Sequence, residues 1–308
     1  MEDQGAFGGG KARYCGRKGI PMRNPSYSLE MPAEQTTSVV FSSPHSGRGY
    51  SRDFLRASVL DDFLIRSSED AFVDDLFAAA PDFGAPLLCA EVPRAFVDLN
   101  RSADELDPAL VEGVRRSAHN PRITSGLGVI PRVVSNGRAI YRGKLPLAEA
   151  QRRIDLYWRP YHRALQAMLD RTRREFGEVV LIDCHSMPHE AVDCIARAGA
   201  RRPDVVLGDR FGASADGGIV DRIEAALTAA GLHVVRNAPF AGAYVTQHYG
   251  RPSRRQHAIQ IEIDRSIYMN EQAIRPNANF QNFQRTLRSV ISDLTDIGRQ
   301  SDLPLAAE

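Results

Sequence analysis

The spacing of apolar positions changes repeatedly along the chain, and each change predicts an element. Ser38-Val39-Val40-Phe41-Ser42-Ser43 has the texture of a short strand and runs into a turn, Pro44-His45-Ser46-Gly47. Phe72, Val73, Leu76 and Phe77 then follow helical spacing, which predicts a helix from Glu69 to Ala80 opened by Ser67 and Ser68. A second apolar run, Pro86 to Ala90, leads into the polar stretch from Val92 to Arg101. Leu147 to Phe176 reads as a long amphipathic helix through Ile154, Trp158, Tyr161, Leu165 and Met168. Pro160 should kink or split it, and Gly177 should stop it. Val179 to Cys184 is apolar at almost every position, the signature of a central strand covered on both faces.

After a loop at 212–218 come a helix to Ala230 and strands from Leu232 to Arg236 and from His257 to Asp264. A closing helix carries Phe280, Phe283, Leu287, Val290, Ile291 and Leu294 on one side. There is no internal repeat. Strands alternating with helices predict an α/β protein: a three-layer α/β/α sandwich with a mostly parallel or mixed sheet. Residues 1–36, with Gly8, Gly9 and Gly10 and little periodicity, read as a flexible extension, leaving one domain from 37 to 308.

Composition narrows the function classes. The 308 residues are 43% hydrophobic and 25% charged, an ordinary globular mixture with a formal charge of +1. So balanced a chain has no global field for nucleic acid or an anionic membrane. No apolar run approaches the ~18 residues of a membrane helix, and the first residues lack the apolar region of a secretory signal. Cys15, Cys89, Cys184 and Cys194 have no paired spacing, which fits reduced thiols in a cytoplasmic protein. Cys89 and Cys184 read as small core residues.

Ligands of such sheets gather beyond the carboxyl ends of the strands. His45 follows the first strand in S-S-P-H-S-G, and His185 follows the central one in D-C-H-S-M-P. One histidine at a strand end is unremarkable; two in parallel contexts point to imidazoles presented to one cleft. Two imidazoles and one carboxylate, with a fourth position open, make a hydrolytic zinc site. The carboxylate is expected from a nearby helix start, as either Glu69 or Asp70. Glu262, between Ile261 and Ile263, is the candidate general base that moves a proton from water to a leaving amine. Arg94, Asn100 and Arg101 form a candidate clamp for a carboxylate, because a guanidinium fork pairs bidentately with one, and Asp98 would orient an arginine. His119, His162 and His233 are expected to face solvent, and Pro188 argues against a metal-binding helix through His189 and Glu190. Gly126-Leu127-Gly128 is too short for a phosphate loop.

Several longer motifs stand in one order: S-P-H-S-G at 43–47, E-D-A-F-V-D-D-L-F at 69–77, and P-R-A-F-V-D-L-N-R-S-A-D-E-L at 93–106. G-L-G-V-I at 126–130, P-Y-H-R-A-L at 160–165 and L-I-D-C-H-S-M-P at 181–188 follow. V-V-L-G-D-R at 205–210 and H-A-I-Q-I-E-I-D-R-S-I-Y-M-N-E at 257–271 complete the series. In these the chain resembles the N-formylglutamate amidohydrolase family over roughly Val39 to Glu271. The resemblance implies a zinc carboxypeptidase-like fold with an eight-stranded mixed sheet. It further implies one zinc ion on His45 and His185, Glu262 as general base, and Asn100 and Arg101 on the substrate carboxylate. The carboxypeptidase pattern has Glu three residues after the first histidine, whereas this chain has Arg48, so the third ligand must come from elsewhere, and Asp70 or its neighbour Glu69 is the expected source. The implied reaction is hydrolysis of N-formyl-L-glutamate, or a related acidic N-acyl amino acid, to formate and L-glutamate in histidine breakdown.

Three rival readings differ in class. A serine hydrolase would use Ser46 or Ser186, but there is no G-x-S-x-G elbow. A non-catalytic protein could use the arginine clamp to bind acidic ligands, and a carboxypeptidase-like enzyme would cleave peptides.

Overall fold

Eight strands form a mixed sheet with helices on both faces in the computed structural model, which describes residues 22–115, 120–193 and 201–299. The strands are β1 (Met22–Arg23), β2 (Tyr27–Glu30), β3 (Val39–Ser43), β4 (Leu87–Ala90), β5 (Val179–Met187), β6 (Val205–Gly208), β7 (Val234–Arg236) and β8 (Gln256–Asp264). Their order is β1-β2-β4-β3-β5-β8-β6-β7. The inner strands β4, β3, β5 and β8 are parallel, while β2 and β6 run against their inner neighbours. The helices are α1 (Arg52–Ala57), α2 (Val73–Phe77), α3 (Pro121–Thr124), α4 (Leu147–Arg153), α5 (Arg159–Phe176), α6 (Gly217–Ala229), α7 (Tyr244–Tyr249) and α8 (Phe280–Ile297).

β5 is the axis of the molecule, buried along all nine residues between β3 and β8. Alternation sends Val180, Ile182 and Cys184 into a core shared with α2, α6 and α8. Val179 and Leu181 enter a second core with Tyr161, Leu165 and Leu169 of α5. Burying each such side chain contributes about 1.5–3 kcal/mol, so a one-residue slip of β5 would be heavily penalised. The same alternation aims Asp183 and His185 to the α5 side, where Gln260 and Glu262 of β8 also point, in the wake of Ala258.

Four expectations change. The sheet begins before Thr37: β2 pairs with β4, so residues 22–36 include sheet edge, while 1–21 lie outside the described residues. The helix expected over 69–80 is only Val73–Phe77, because Phe72 turns left-handed at φ 66° and Asp70 donates its N–H to His45 O. The long helix stays continuous from α4 to α5 through one wide π turn at Ile154–Trp158. That turn ends two residues before Pro160 and makes room for a ring that offers no N–H. Gly177 caps α5 at φ 73°, as expected. His162 does not face solvent. It is buried, with Nε2 bonded to Leu99 O and Nδ1 to the Tyr249 hydroxyl, both at 2.9 Å. His233 is half-buried against Arg202 O; His119, Cys15 and Cys194 lie outside the described residues. Cys89 and Cys184 are buried, and burial pushes both thiols up.

Burial pulls the His162 pKa down to about 3 from 6.5. The unfolded chain therefore binds a proton that the folded chain refuses between these values. This contribution to stability is complete above pH 6.5 and is lost at about 1.4 kcal/mol per pH unit as the pH falls towards 3. Urea unfolding at pH 7.5 and 5 should show a smaller loss for His162→Gln than for the parent. Equal losses would contradict the assignment.

Candidate active site

The carboxyl ends of β3, β5 and β8 open into a cleft of about 810 Å³ that exposes His45, Asp70, His185 and Glu262. His45 lies two residues beyond β3. Gly47 lets its turn lie flat on the chain leaving β4, since a Cβ there would come within 2.1 Å of Val92 O. His185 is inside β5, not beyond it, and stands opposite Glu262 in register. Asp70 arrives from the segment before α2, fastened by its N–H to His45 O at 3.0 Å. Residues remote in sequence thus meet through one strand pair and one turn.

The two imidazoles lie edge to face with ring centres 4.7 Å apart. Asp70 Oδ2 is 2.9 Å from His185 Nδ1 and 3.5 Å from His45 Nδ1. Donor atoms of His45, Asp70 and His185 all fall within 4.8 Å of one another. On the far side of each ring a carboxylate holds Nε2: Asp98 for His45 at 2.7 Å and Asp183 for His185 at 3.0 Å. Carboxylates behind metal-ligating imidazoles orient the rings in this way. His45 Nδ1 is buried and has no hydrogen-bond partner among the described residues. An orphaned ring nitrogen aimed at a carboxylate and a second imidazole fits a divalent cation with nitrogen and oxygen donors.

The structure separates the two candidate carboxylates. Glu69, Asp70's immediate neighbour, turns the other way and is held by Arg66 at 3.0 Å and the Tyr50 hydroxyl at 3.2 Å. Arg48, at the position where the carboxypeptidase pattern has a glutamate, pairs with Asp74 and Asp75 of α2.

Electrostatics follow from burial and close partners. Burial alone would raise the Asp70 pKa, but His185, His45 and Arg94 hold its carboxyl well below the ordinary range. Asp98 is likewise held low against burial by His45 and Arg94. Burial opposes charge on His185, yet Asp183 and Asp70 outweigh it and keep the imidazole well above its usual value. Glu262 differs: burial pushes it up to about 7, opposed by His185 and assisted by Asp70. Gln260 donates to its Oε1 at 2.7 Å and is itself fixed by the Ala243 N–H. A carboxyl near neutrality can both accept and return a proton.

The expected clamp is only partly available. Arg94 is occupied by Asp98 at 3.2 Å, the Ser68 carbonyl and Asp70 at 3.6 Å, so it orients carboxylates within the protein. Asn100 is also committed, with Nδ2 on Asp183 and the His185 ring and Oδ1 accepting from Val245 N. Arg101 is the exception: Nε bonds Leu127 O, Nη1 bonds Asn100 O, and no carboxylate pairs with it among the described residues. Leu127 belongs to the Gly-Leu-Gly segment, and its carbonyl thus anchors one edge of this guanidinium. Two residues escaped the sequence reading. Asp183 was hidden inside an apolar strand, and Arg265, which bonds Asp70 Oδ1 at 2.9 Å and Ser186, stood in a quoted motif without an assigned role.

These contacts predict different outcomes for adjacent carboxylates. Asp70→Asn should sharply reduce divalent metal retained after dialysis, measured by elemental analysis, whereas Glu69→Gln should retain parental stoichiometry. Equal retention in both variants would remove Asp70 from the cluster.

The family model described as N-formylglutamate amidohydrolase matches residues 37–269. An N-formylglutamate deformylase of Pseudomonas aeruginosa is 33% identical over 261 residues, covering 84% of this chain and 91% of the relative. One from Pseudomonas putida is 33% identical over 236 residues, covering 76% and 82%. The crystal structure of N-formylglutamate amidohydrolase from Ralstonia eutropha JMP134 superposes with a TM-score of 0.82 at 36% identity, covering 88% of this chain and 98% of that one. With its motifs, its sheet and these similarities in agreement, the chain belongs to the N-formylglutamate amidohydrolase family.

Proposed function

We propose that this protein hydrolyses the formyl amide of N-formyl-L-glutamate to formate and L-glutamate, with one zinc ion held by His45, Asp70 and His185. The observation that carries the reading is the convergence of these three side chains beside Glu262, in the cleft of a member of this family. A bound zinc ion supplies Lewis acidity towards an amide carbonyl and towards water. Glu262 takes a proton from the attacking water and returns it to the amine nitrogen as the C–N bond breaks. Asp98 and Asp183 keep the two imidazoles turned with Nδ1 towards Asp70, and Arg94 and Arg265 hold Asp70 in place. Arg101 binds a carboxylate of the substrate, while Asn100 and Arg94 position the residues around it.

The serine alternative finds little support. Ser46 bonds Ser43 and Ser186 accepts from Arg265, and neither hydroxyl is bonded to an imidazole among the described residues. The described helices include none long and apolar enough to cross a membrane.

Formate release from N-formyl-L-glutamate tests the proposal directly; a purified, zinc-loaded protein that releases none would refute it. Glu262→Gln should lower kcat by about 10²–10⁴-fold with little change in KM, as expected on loss of a general base. Chelation should abolish turnover, and added zinc should restore it. Ser186→Ala should remain active in the same assay, and activity surviving metal removal but lost in that variant would favour the serine mechanism.

A further inference from the structure

The segment Gly208-Asp209-Arg210 reaches the same cleft and has no part in the reaction above. Arg210 and Phe211 are consecutive non-glycine residues with left-handed backbones, at φ 55° and 56°. Two such residues in succession are costly and persist only where their surroundings impose them. Here they do. Asn237 Oδ1 accepts from the Asp209 and Phe211 N–H groups at 3.1 and 3.3 Å, and its amide donates to Asp209 Oδ1 at 2.6 Å. The Arg210 N–H donates to Ala241 O at 2.8 Å. Gly208 allows the two loops to touch, since a Cβ there would lie 2.6 Å from Gly242 N.

All this rigidity presents one guanidinium. Arg210 lines the cleft, and its side chain has only a long contact to Gly242 O at 3.4 Å, with no carboxylate partner among the described residues. Arg94 and Arg265 are neutralised by Asp98 and Asp70, so they are not equivalent to it. Arg122, an exposed residue of α3, lines the cleft together with Arg101, and the two form one cationic patch. Arg210, carried by a separate pair of locked loops, provides a second. A guanidinium without an internal counter-ion, held by strained backbone at a cleft wall, is suited to a ligand carboxylate.

We propose that Arg210 binds the side-chain carboxylate of an acidic N-acyl amino acid, while Arg101 binds its α-carboxylate, so that Arg210 sets the preference for a dicarboxylate. The inference rests on the hydrolytic reading of the cleft. Its test compares N-formyl-L-glutamate with N-formyl-L-glutamine, a neutral counterpart of nearly equal size. The parent should prefer the glutamate derivative in kcat/KM. Arg210→Met should remove that preference by losing about 100-fold or more on the glutamate derivative, mainly through KM, with little change on the glutamine one. Arg210→Gln, which retains a donor for Gly242 O, should behave alike and guards against a folding defect, checked by circular dichroism. Arg101→Met should lose activity on both substrates, because both carry the α-carboxylate. An Arg210 variant that keeps the parental preference, or loses both substrates equally, overturns the assignment while leaving the hydrolytic reading intact. A parent without preference does the same. A zinc-loaded parent that cleaves neither substrate refutes the hydrolytic reading, and this inference falls with it.

Discussion

Asp70 is a carboxylate almost wholly removed from water, and four segments of the chain converge on it. His45 reaches it from the turn after β3 and His185 from within β5; Arg94 comes from the loop after β4 and Arg265 from just beyond β8. Its own backbone is tied to His45. An isolated carboxylate at this depth would carry a desolvation penalty of several kcal/mol, and close partners must offset it. Breaking a buried pair of this kind costs about 3–5 kcal/mol because the remaining charge is left without compensation. The geometry that neutralises Asp70 is therefore the same geometry that brings two imidazole nitrogens to its edge, so folding and site assembly are one problem.

The sheet solves much of that problem before any polar contact is made. β5 and β8 are parallel, in register over nine residue pairs, and buried on both faces. Their apolar side chains settle the register, and the register then puts His185 opposite Glu262 and Asp183 opposite Gln260. Precision at the site follows from a rigid strand pair, while the loop after β3 and the segment before α2 supply the remaining donors. The loop positions are held by backbone hydrogen bonds and by close approach at Gly47, so they depend on few side-chain rotamers.

Burial also gives the carboxylates different roles. Asp70 and Asp98 stay ionised because cationic partners lie within hydrogen-bond distance. Glu262 has no arginine at that distance among the described residues; a neutral amide touches it, and desolvation prevails. One cleft thus contains carboxylates committed to charge and another near its midpoint at neutral pH. The arginines divide similarly: Arg94 and Arg265 serve the protein's own carboxylates, while Arg101 and Arg210 have none among the described residues.

The sequence by itself determined the strand and helix rhythm, the central character of Val179–Cys184, and the two histidines and the glutamate at the cleft. Those features are local: an apolar run, a turn after it, and a polar residue between isoleucines can be read without a partner. It could not choose between Glu69 and Asp70, because adjacent residues diverge only when the backbone is known, and Phe72's left-handed turn ends the helix that would have carried both. Nor could it show that Asn100 and Arg94 are occupied, that His162 is buried, or that Asp183 and Arg265 support the imidazoles and Asp70. Each of those facts is a pairing between distant positions. Hydrophobic periodicity records which face of an element is buried, but a polar side chain's role is fixed by the partner that the packed chain brings within about 3 Å of it.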